Sequence, residues 1–348
     1  MKHLFILRNP NENYQISSLV KYNFMLFEKK EIQSWFINND IKIITIKNPI
    51  LSQHIIDDKF DLSSFKKYIL EYSLNNNVII LAIGPDFFKI AEMIKNKKNI
   101  IICGWQDDPH YFANFAVPKI KNIYTYSKNY DSSLLNKLSF LITPSSIYFK
   151  NLNMDQYYDK IIQIFYTLNE DWYPIIDSYI SFKDRREKIL LSGSINYLYK
   201  SRTEQYELSK NTDIINVLKY PCSLQEEKFL GLNYYKKLCK FKGAFASSPN
   251  KPINYIVAKH IEILMCGCIG FFDESDLLKD MGLIAYKHYV PCTINNELIE
   301  DPGFYKKYIN TELGENIARN GRDFVRKKFG NKNINKYIDF FKSLSFTV

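Results

Sequence analysis

The sequence predicts an α/β protein made of two doubly wound, mostly parallel sheets, and three observations carry that prediction. Short apolar runs alternate with stretches of helical period from residue 3 onward, and parallel strands need such crossover segments. A length of 348 residues suits two domains of ordinary size better than one. Residues 253–274, INYIVAKHIEILMCGCIGFFDE, read as a helix stopped by Gly267 and followed at once by a buried strand with acidic residues at its end.

In chain order, HLFILR (3–8) is the first buried strand. Residues 16–38 keep helical spacing through Leu19, Tyr22 and Leu26 and again through Ile32, Trp35 and Phe36. IKIITI follows as a strand. After FKKYILEYSLNNN come the strand VIILAIG (78–84), a helix through FFKIAEMIKNK and the strand NIIICGW (99–105). IYTYS (123–127), the helical YDSSLLNKL, SFLITP (139–144) and IIQIFYTL (161–168) complete the first half. The turn-rich loop NEDWYPIID (169–177) and the charge-dense 182–188 mark a boundary. The expected domains are therefore 1–180 and 181–330, with 331–348 as a terminal helix whose apolar stripe, INKYIDFFKSL, packs back on the first domain.

The second half opens on the strand KILLSGSI (188–195), whose end carries Gly193 and Ser194. The loop NYLYKSR carries Lys200 and Arg202 into a helix starting near Thr203, and a loop of this kind suits a diphosphate through backbone N–H groups and a guanidinium. The alternation continues through DIINVLKYP, NYYKKLCKF and GAFASSP (243–249), where Ser247 and Ser248 leave room for a ligand or cap the next helix. Past Glu274, a short helix DLLKDMG and a strand LIAYKHYV are expected. Open α/β sheets bind ligands outside the carboxyl ends of their strands, so Lys259 is placed to meet phosphate and Glu262 to accept hydrogen bonds from ribose hydroxyls. That placement requires the Glu262 carboxylate to be accessible.

In the first half, QDDPHYF (106–112) is the densest group of ionisable residues. Asp107, Asp108 and His110 are candidates for a general base acting on an acceptor hydroxyl, while an Asx turn with Asp capping a helix explains the same residues structurally. The first strand is not followed by a G-x-G-x-x-G turn, so no dinucleotide is expected there.

The stretch AKHIEILMCGCIGFF resembles the nucleotide-sugar glycosyltransferases of the GT-B type, particularly the CgeB-like and group 1 glycosyltransferase branches. ELGENIARNGRDFVRKKF is similar to the segment that closes their donor domain, and GWQDDPHYF and LLSGSINYLYKSR echo them more loosely. The resemblance implies two Rossmann-like domains facing a central cleft, the acceptor on the first and the nucleotide sugar on the second. It implies transfer of a sugar from a nucleotide diphosphate, with UDP as one candidate, to a hydroxyl of a glycan, lipid or protein. It also implies no bound metal and no cofactor beyond the donor. Retaining members carry two Glu separated by seven residues; here the first position is Asn254, which leaves inversion or retention open.

The formal charge of +10 suits an anionic partner, and the basic residues from Arg319 to Lys342 allow a peripheral membrane contact or a solvated helix face. No nucleic-acid module, G-x-S-x-G, H-E-x-x-H or Walker A pattern is present. The six cysteines lack a C-x-x-C pair, no apolar run reaches membrane length, and a cytoplasmic location is expected. A non-catalytic GT-B-like scaffold or polyanion-binding protein is the alternative function.

Overall fold

The computed structural model describes residues 1–7, 26–46, 62–83, 94, 98–105, 135, 138–144, 155–193, 195, 199–218, 231–249 and 255–346. The elements expected at 16–25 and in IYTYS lie outside the described residues, as do most of FFKIAEMIKNK and of YDSSLLNKL.

Two compact units divide at Phe165/Tyr166, earlier than the expected boundary at 180/181, and the chain from Lys332 onward groups with the first unit. The first holds a parallel six-stranded sheet ordered β2-β1-β3-β4-β5-β6. Its strands are β1 (Lys2–Leu7), β2 (Ile41–Ile46), β3 (Asn77–Ile83), β4 (Ile100–Trp105), β5 (Phe140–Thr143) and β6 (Ile161–Gln163). Helices α1 (Lys30–Ile37) and α2 (Leu62–Ser73) belong to it. The near-continuous apolar runs of β3 and β4 are buried throughout their described side chains, as a parallel sheet covered on both faces requires. IIQIFYTL is strand only over its first three residues. Beyond them Leu168 gives its N–H to the Phe329 carbonyl at 2.6 Å, inside the second unit.

The second unit opens with the short helix α3 (Tyr173–Asp177) and continues as β7 (Arg186–Ser192), α4 (Lys200–Ser209), β8 (Ile215–Leu218), α5 (Gly231–Leu238), β9 (Phe241–Ala246), α6 (Ala258–Met265), β10 (Ile269–Phe272), α7 (Asp276–Asp280), β11 (Val290–Pro291), α8 (Pro302–Ile309) and α9 (Glu312–Phe329). Its sheet is parallel and ordered β11-β10-β9-β7-β8. The chain steps outward from β7 to β8, returns to β9 on the other side and then builds away. The direction of winding therefore reverses between β7 and β9, and the carboxyl ends of that pair are where such sheets take ligands. The expected strand LIAYKHYV is mostly turn, with only Val290–Pro291 in the sheet, because His288 folds back to accept the Ile284 N–H on its ring nitrogen.

The last helix, α10 (Asn335–Ser343), lies in the first unit with Tyr337, Ile338 and Phe341 buried. Tyr337 accepts the Trp105 indole N–H at 2.9 Å, and Lys2 donates to the carbonyls of Phe341 and Leu344 at the helix end. A cation among C-terminal carbonyls is where the helix dipole favours one.

Helix α6 ends as its sequence indicates. Gly267 has φ +64° and closes a Schellman motif, its N–H on the Leu264 carbonyl and the Cys268 N–H on Ile263. Helix α9 crosses α6 at Gly321, where a Cβ would stand 2.5 Å from the His288 carbonyl and 2.9 Å from a Leu264 methyl. Gly321→Ala should therefore cost more than Gly267→Ala, about 2–3 kcal/mol against about 1–2 kcal/mol. Denaturant unfolding checks the order, and a Gly321→Ala protein as stable as the parent contradicts the packing described.

Candidate functional site

Strand β7 turns apolar and buried over Ile189–Leu191 and stops after Ser192 because Gly193 adopts φ +110°, a conformation that side chains rarely accept. A Cβ there would lie 3.0 Å from Arg202 Nη1 and 3.3 Å from Lys259 Cε, so the bare turn lets both cations close on it. Arg202 comes from the first turn of α4 and Lys259 from the first turn of α6. Neither helix has a side-chain cap from its N-cap residue, Tyr199 or Val257. Two helix starts and two cations thus meet at the carboxyl edge of β7, where helix N-termini and positive charge favour an anion.

The expected residues Gly193, Arg202 and Lys259 are brought together. Ser194, Asp107, Asp108 and His110 lie outside the described residues. Ser248 stands at the end of β9 with its N–H on Asp273 Oδ2 at 3.1 Å, and its buried hydroxyl has no hydrogen-bond partner among the described residues. Neither Ser247 nor Ser248 caps the next helix, which starts only at Ala258; Ser247 instead donates to Gln205 Oε1.

Glu262 departs from expectation. Its side chain is 3% exposed, and Tyr235 donates its hydroxyl hydrogen to Oε1 at 3.2 Å. An accessible carboxylate waiting for a ribose is not what this conformation presents. The cause is packing: every residue of α6 from His260 to Met265 is buried, and Tyr235 of α5 covers that face.

Burial governs the electrostatics. Lys259 is pulled down to about 8, chiefly by desolvation and secondarily by the Arg202 charge, with Glu262 opposing the shift. Asp273, at the end of β10, is pushed up to about 6 by burial despite the Ser201 hydroxyl, the Ser248 N–H and Arg202. His260 is pulled down to about 4, again mainly by burial, so it is neutral at pH 7; Nδ1 faces the Val257 carbonyl and the ring packs edge-on against Phe272. Acid and bases are all displaced toward their neutral forms, a pattern that marks functional sites more often than ordinary surface.

Aromatic rings line the cations. The Arg202 guanidinium lies 3.9 Å from the Tyr199 ring centre, and Lys259 Nζ lies 5.0 Å from that of Tyr234. The Tyr234 hydroxyl also meets Ser192 Oγ at 3.0 Å. Sequence reading missed Tyr234 and Tyr235, since two tyrosines inside NYYKKLCKF carry the same signal as ordinary core.

No protein-family model and no curated protein sequence matches the chain. Solved structures do match its backbone. HepE from Anabaena, crystallised with UDP-glucose, aligns with a TM-score of 0.55 and 10% identity over 99% of this chain and 100% of its own. A glycosyltransferase from Rickettsia africae aligns with a TM-score of 0.53 and 13% identity over 98% and 97%. Sucrose-phosphate synthase from Thermosynechococcus elongatus aligns with a TM-score of 0.53 and 11% identity over 99% and 100%. The fold is GT-B. Identities this low establish the architecture of two Rossmann-like units and nothing finer. Within the second unit, the β7/β9 edge brings Arg202 and Lys259 together at one glycine turn.

The lysine shift has a sign that can be measured. Between about 8 and the ordinary lysine value of 10.5, the unfolded chain holds a proton that folded Lys259 has released, so folding stability gains as pH rises through that window. Lys259→Met should remove this part of the slope and should not destabilise the fold at pH 7. Urea unfolding of both proteins at pH 7, 8 and 10 tests it, and identical slopes would place Lys259 in water.

Proposed function

We propose that this protein is a glycosyltransferase that moves a sugar from a nucleoside diphosphate donor to a hydroxyl acceptor, with the donor's diphosphate on the β7/β9 edge of the second unit. The observation that carries the reading is the closure of Arg202 and Lys259 on the Cβ-less turn at Gly193, at the point where the sheet reverses its winding. Solved structures of the same fold supply the context, HepE with UDP-glucose among them.

The chemistry follows from charge. As the bond from the anomeric carbon to the diphosphate oxygen breaks, negative charge grows on the leaving group, and cations fixed in a poorly solvated site stabilise it without reorganising. Arg202 offers a planar fork to one phosphate, and Lys259 offers a point charge to its neighbour. These two cations take the part a metal ion plays in other transferases. The neutral Ser248 hydroxyl, unpartnered among the described residues, is available to a phosphate or base oxygen. Glu262 is assigned a positioning role: its buried negative charge keeps Lys259 protonated, since among the described residues it is the group raising the lysine against burial and Arg202. For the acceptor hydroxyl, Asp108 is proposed as general base, with His110 and Asp107 as the other candidates of that segment. The acceptor class is a glycan, lipid or protein hydroxyl.

Arg202→Gln should weaken binding of UDP or GDP about 10- to 100-fold, the loss of one charged, forked contact, with little change in the unfolding midpoint. Affinity for the same nucleotides should fall as pH rises from 7 to 9, because Lys259 must carry its proton to bind diphosphate, and Glu262→Gln should move that fall to lower pH. Calorimetric titration reads all three. If no nucleoside diphosphate binds the parent protein, the transferase reading is lost.

A second measurement addresses catalysis. The parent should slowly hydrolyse a nucleotide sugar without acceptor, and Asp108→Asn should reduce transfer to acceptor about 100-fold or more while leaving nucleotide affinity intact. Full turnover in Asp108→Asn removes that residue from the mechanism.

A further inference from the structure

A separate group of cations stands at the opposite edge of the second unit's sheet, where the strands begin. Arg185 directly precedes β7 and Gly267 lies just before β10; with Asp177, Glu315, Arg319 and Arg322 they line a cavity of about 260 Å³. Nothing in the donor chemistry above uses it. Arg185 is 8% exposed, and its Nη1 donates to the Gly267 carbonyl at 2.8 Å. Its Nε is buried and has no hydrogen-bond partner, and no carboxylate pairs with it among the described residues.

A capping role for the end of α6 does not account for this arrangement. Arg326 already donates twice to the Met265 carbonyl there, at 3.1 and 2.9 Å, and forks onto Asp177 at 2.7 and 2.8 Å. With Asp177 taken by Arg326, the cavity sets three guanidinium groups against one other carboxylate, Glu315. Arg322 reaches Asp177 only at 3.9 Å and turns its Nε to Asp323, and Arg319 bonds the neutral Asn316. The space between the cations is kept open by Gly267, whose absent Cβ would stand 3.4 Å from Arg322 Cδ and 3.9 Å from Arg185 Nη2.

We propose that this cavity is an anion site that binds a phosphate group, free or as the monoester of a small molecule, on Arg185, Arg319 and Arg322. A tetrahedral oxyanion presents acceptors in several directions and so meets guanidinium forks arriving from a loop and from two turns of one helix. A single planar carboxylate satisfies only one fork. The site is independent of the nucleotide reading, because it shares no residue with the carboxyl edge.

Calorimetric titration of inorganic phosphate and of glycerol 3-phosphate, at ionic strength held constant with sodium chloride, tests the site on the full chain. Measurements on Arg202→Gln separate it from the carboxyl edge. One saturable site should persist in Arg202→Gln and weaken about tenfold or more in Arg319→Gln, an exposed position that leaves the fold intact. Arg185→Lys, which keeps the charge and loses Nε, should weaken it as well. Tighter binding of the ester identifies an esterified phosphate as the ligand; equal binding identifies the phosphate group alone. Absence of saturable binding for both probes, or binding lost in Arg202→Gln and unchanged in Arg319→Gln, overturns the proposal.

Discussion

Arg202, buried, and Lys259, half-buried, are held against one glycine turn, and the proposed donor chemistry turns on that pairing of like charges. Positive charges in poorly solvated surroundings cost free energy unless something compensates them. Among the described residues, the compensation from the chain is partial. Asp273 feels Arg202 and still titrates near 6, so burial outweighs attraction for the acid; Lys259 feels Glu262 and still titrates near 8, so burial outweighs attraction for the base. A ligand that brings its own negative charges compensates the two cations and holds Asp273 in its neutral form. That asymmetry, rather than the presence of basic residues as such, separates this edge from the rest of a basic surface.

Holding the two cations in place falls to α6 and its anchors. The helix is eight residues long, about 12 Å, too short to be stable alone. It carries Lys259 and Glu262, and its carboxyl end is closed by the Schellman turn and by Arg326 on the Met265 carbonyl. Arg326 is itself fixed by the fork to Asp177 and sits 4.4 Å from the centre of the Tyr173 ring. The arginines that look in sequence like one solvated stripe of α9 are thus divided in use: Arg326 ties helix to helix, while Arg319 and Arg322 border the cavity at the strand starts.

What was legible in the sequence was local. Gly267 reads as a helix stop because the apolar period ends there and a strand follows, and the structure gives it the positive φ and the two hydrogen bonds of that motif. Strands β1 to β5 were found within a residue or two, since an apolar run flanked by turn formers is a one-dimensional signal, while IIQIFYTL and KILLSGSI ran past the strands they name. LIAYKHYV was misread because it carries that signal and yet spends its backbone on a turn tied by His288. The burial of Glu262 was beyond reach for a different reason: its partner Tyr235 is 27 positions away on another helix, and no spacing rule links them. The convergence of Gly193, Arg202 and Lys259 was legible only as three separate residues at strand and helix ends; the order of the strands is what brings them together.

The burial of Glu262 alters what the site asks of a donor. A carboxylate that grips ribose exchanges bonds to water for bonds to hydroxyls, and a side chain 3% exposed, already accepting from Tyr235, has little water to exchange. Its charge still reaches Lys259. Burial and Arg202 together bring that lysine down to about 8 even with Glu262 in place, so at neutral pH the cation is preserved by a narrow margin and the acid supplies it. In the proposed site, recognition of a diphosphate then depends on a residue that need not touch it. The same geometry explains why the acid is enclosed rather than open: a carboxylate exposed to solvent would be screened, and its hold on the lysine would weaken as the dielectric around it rose.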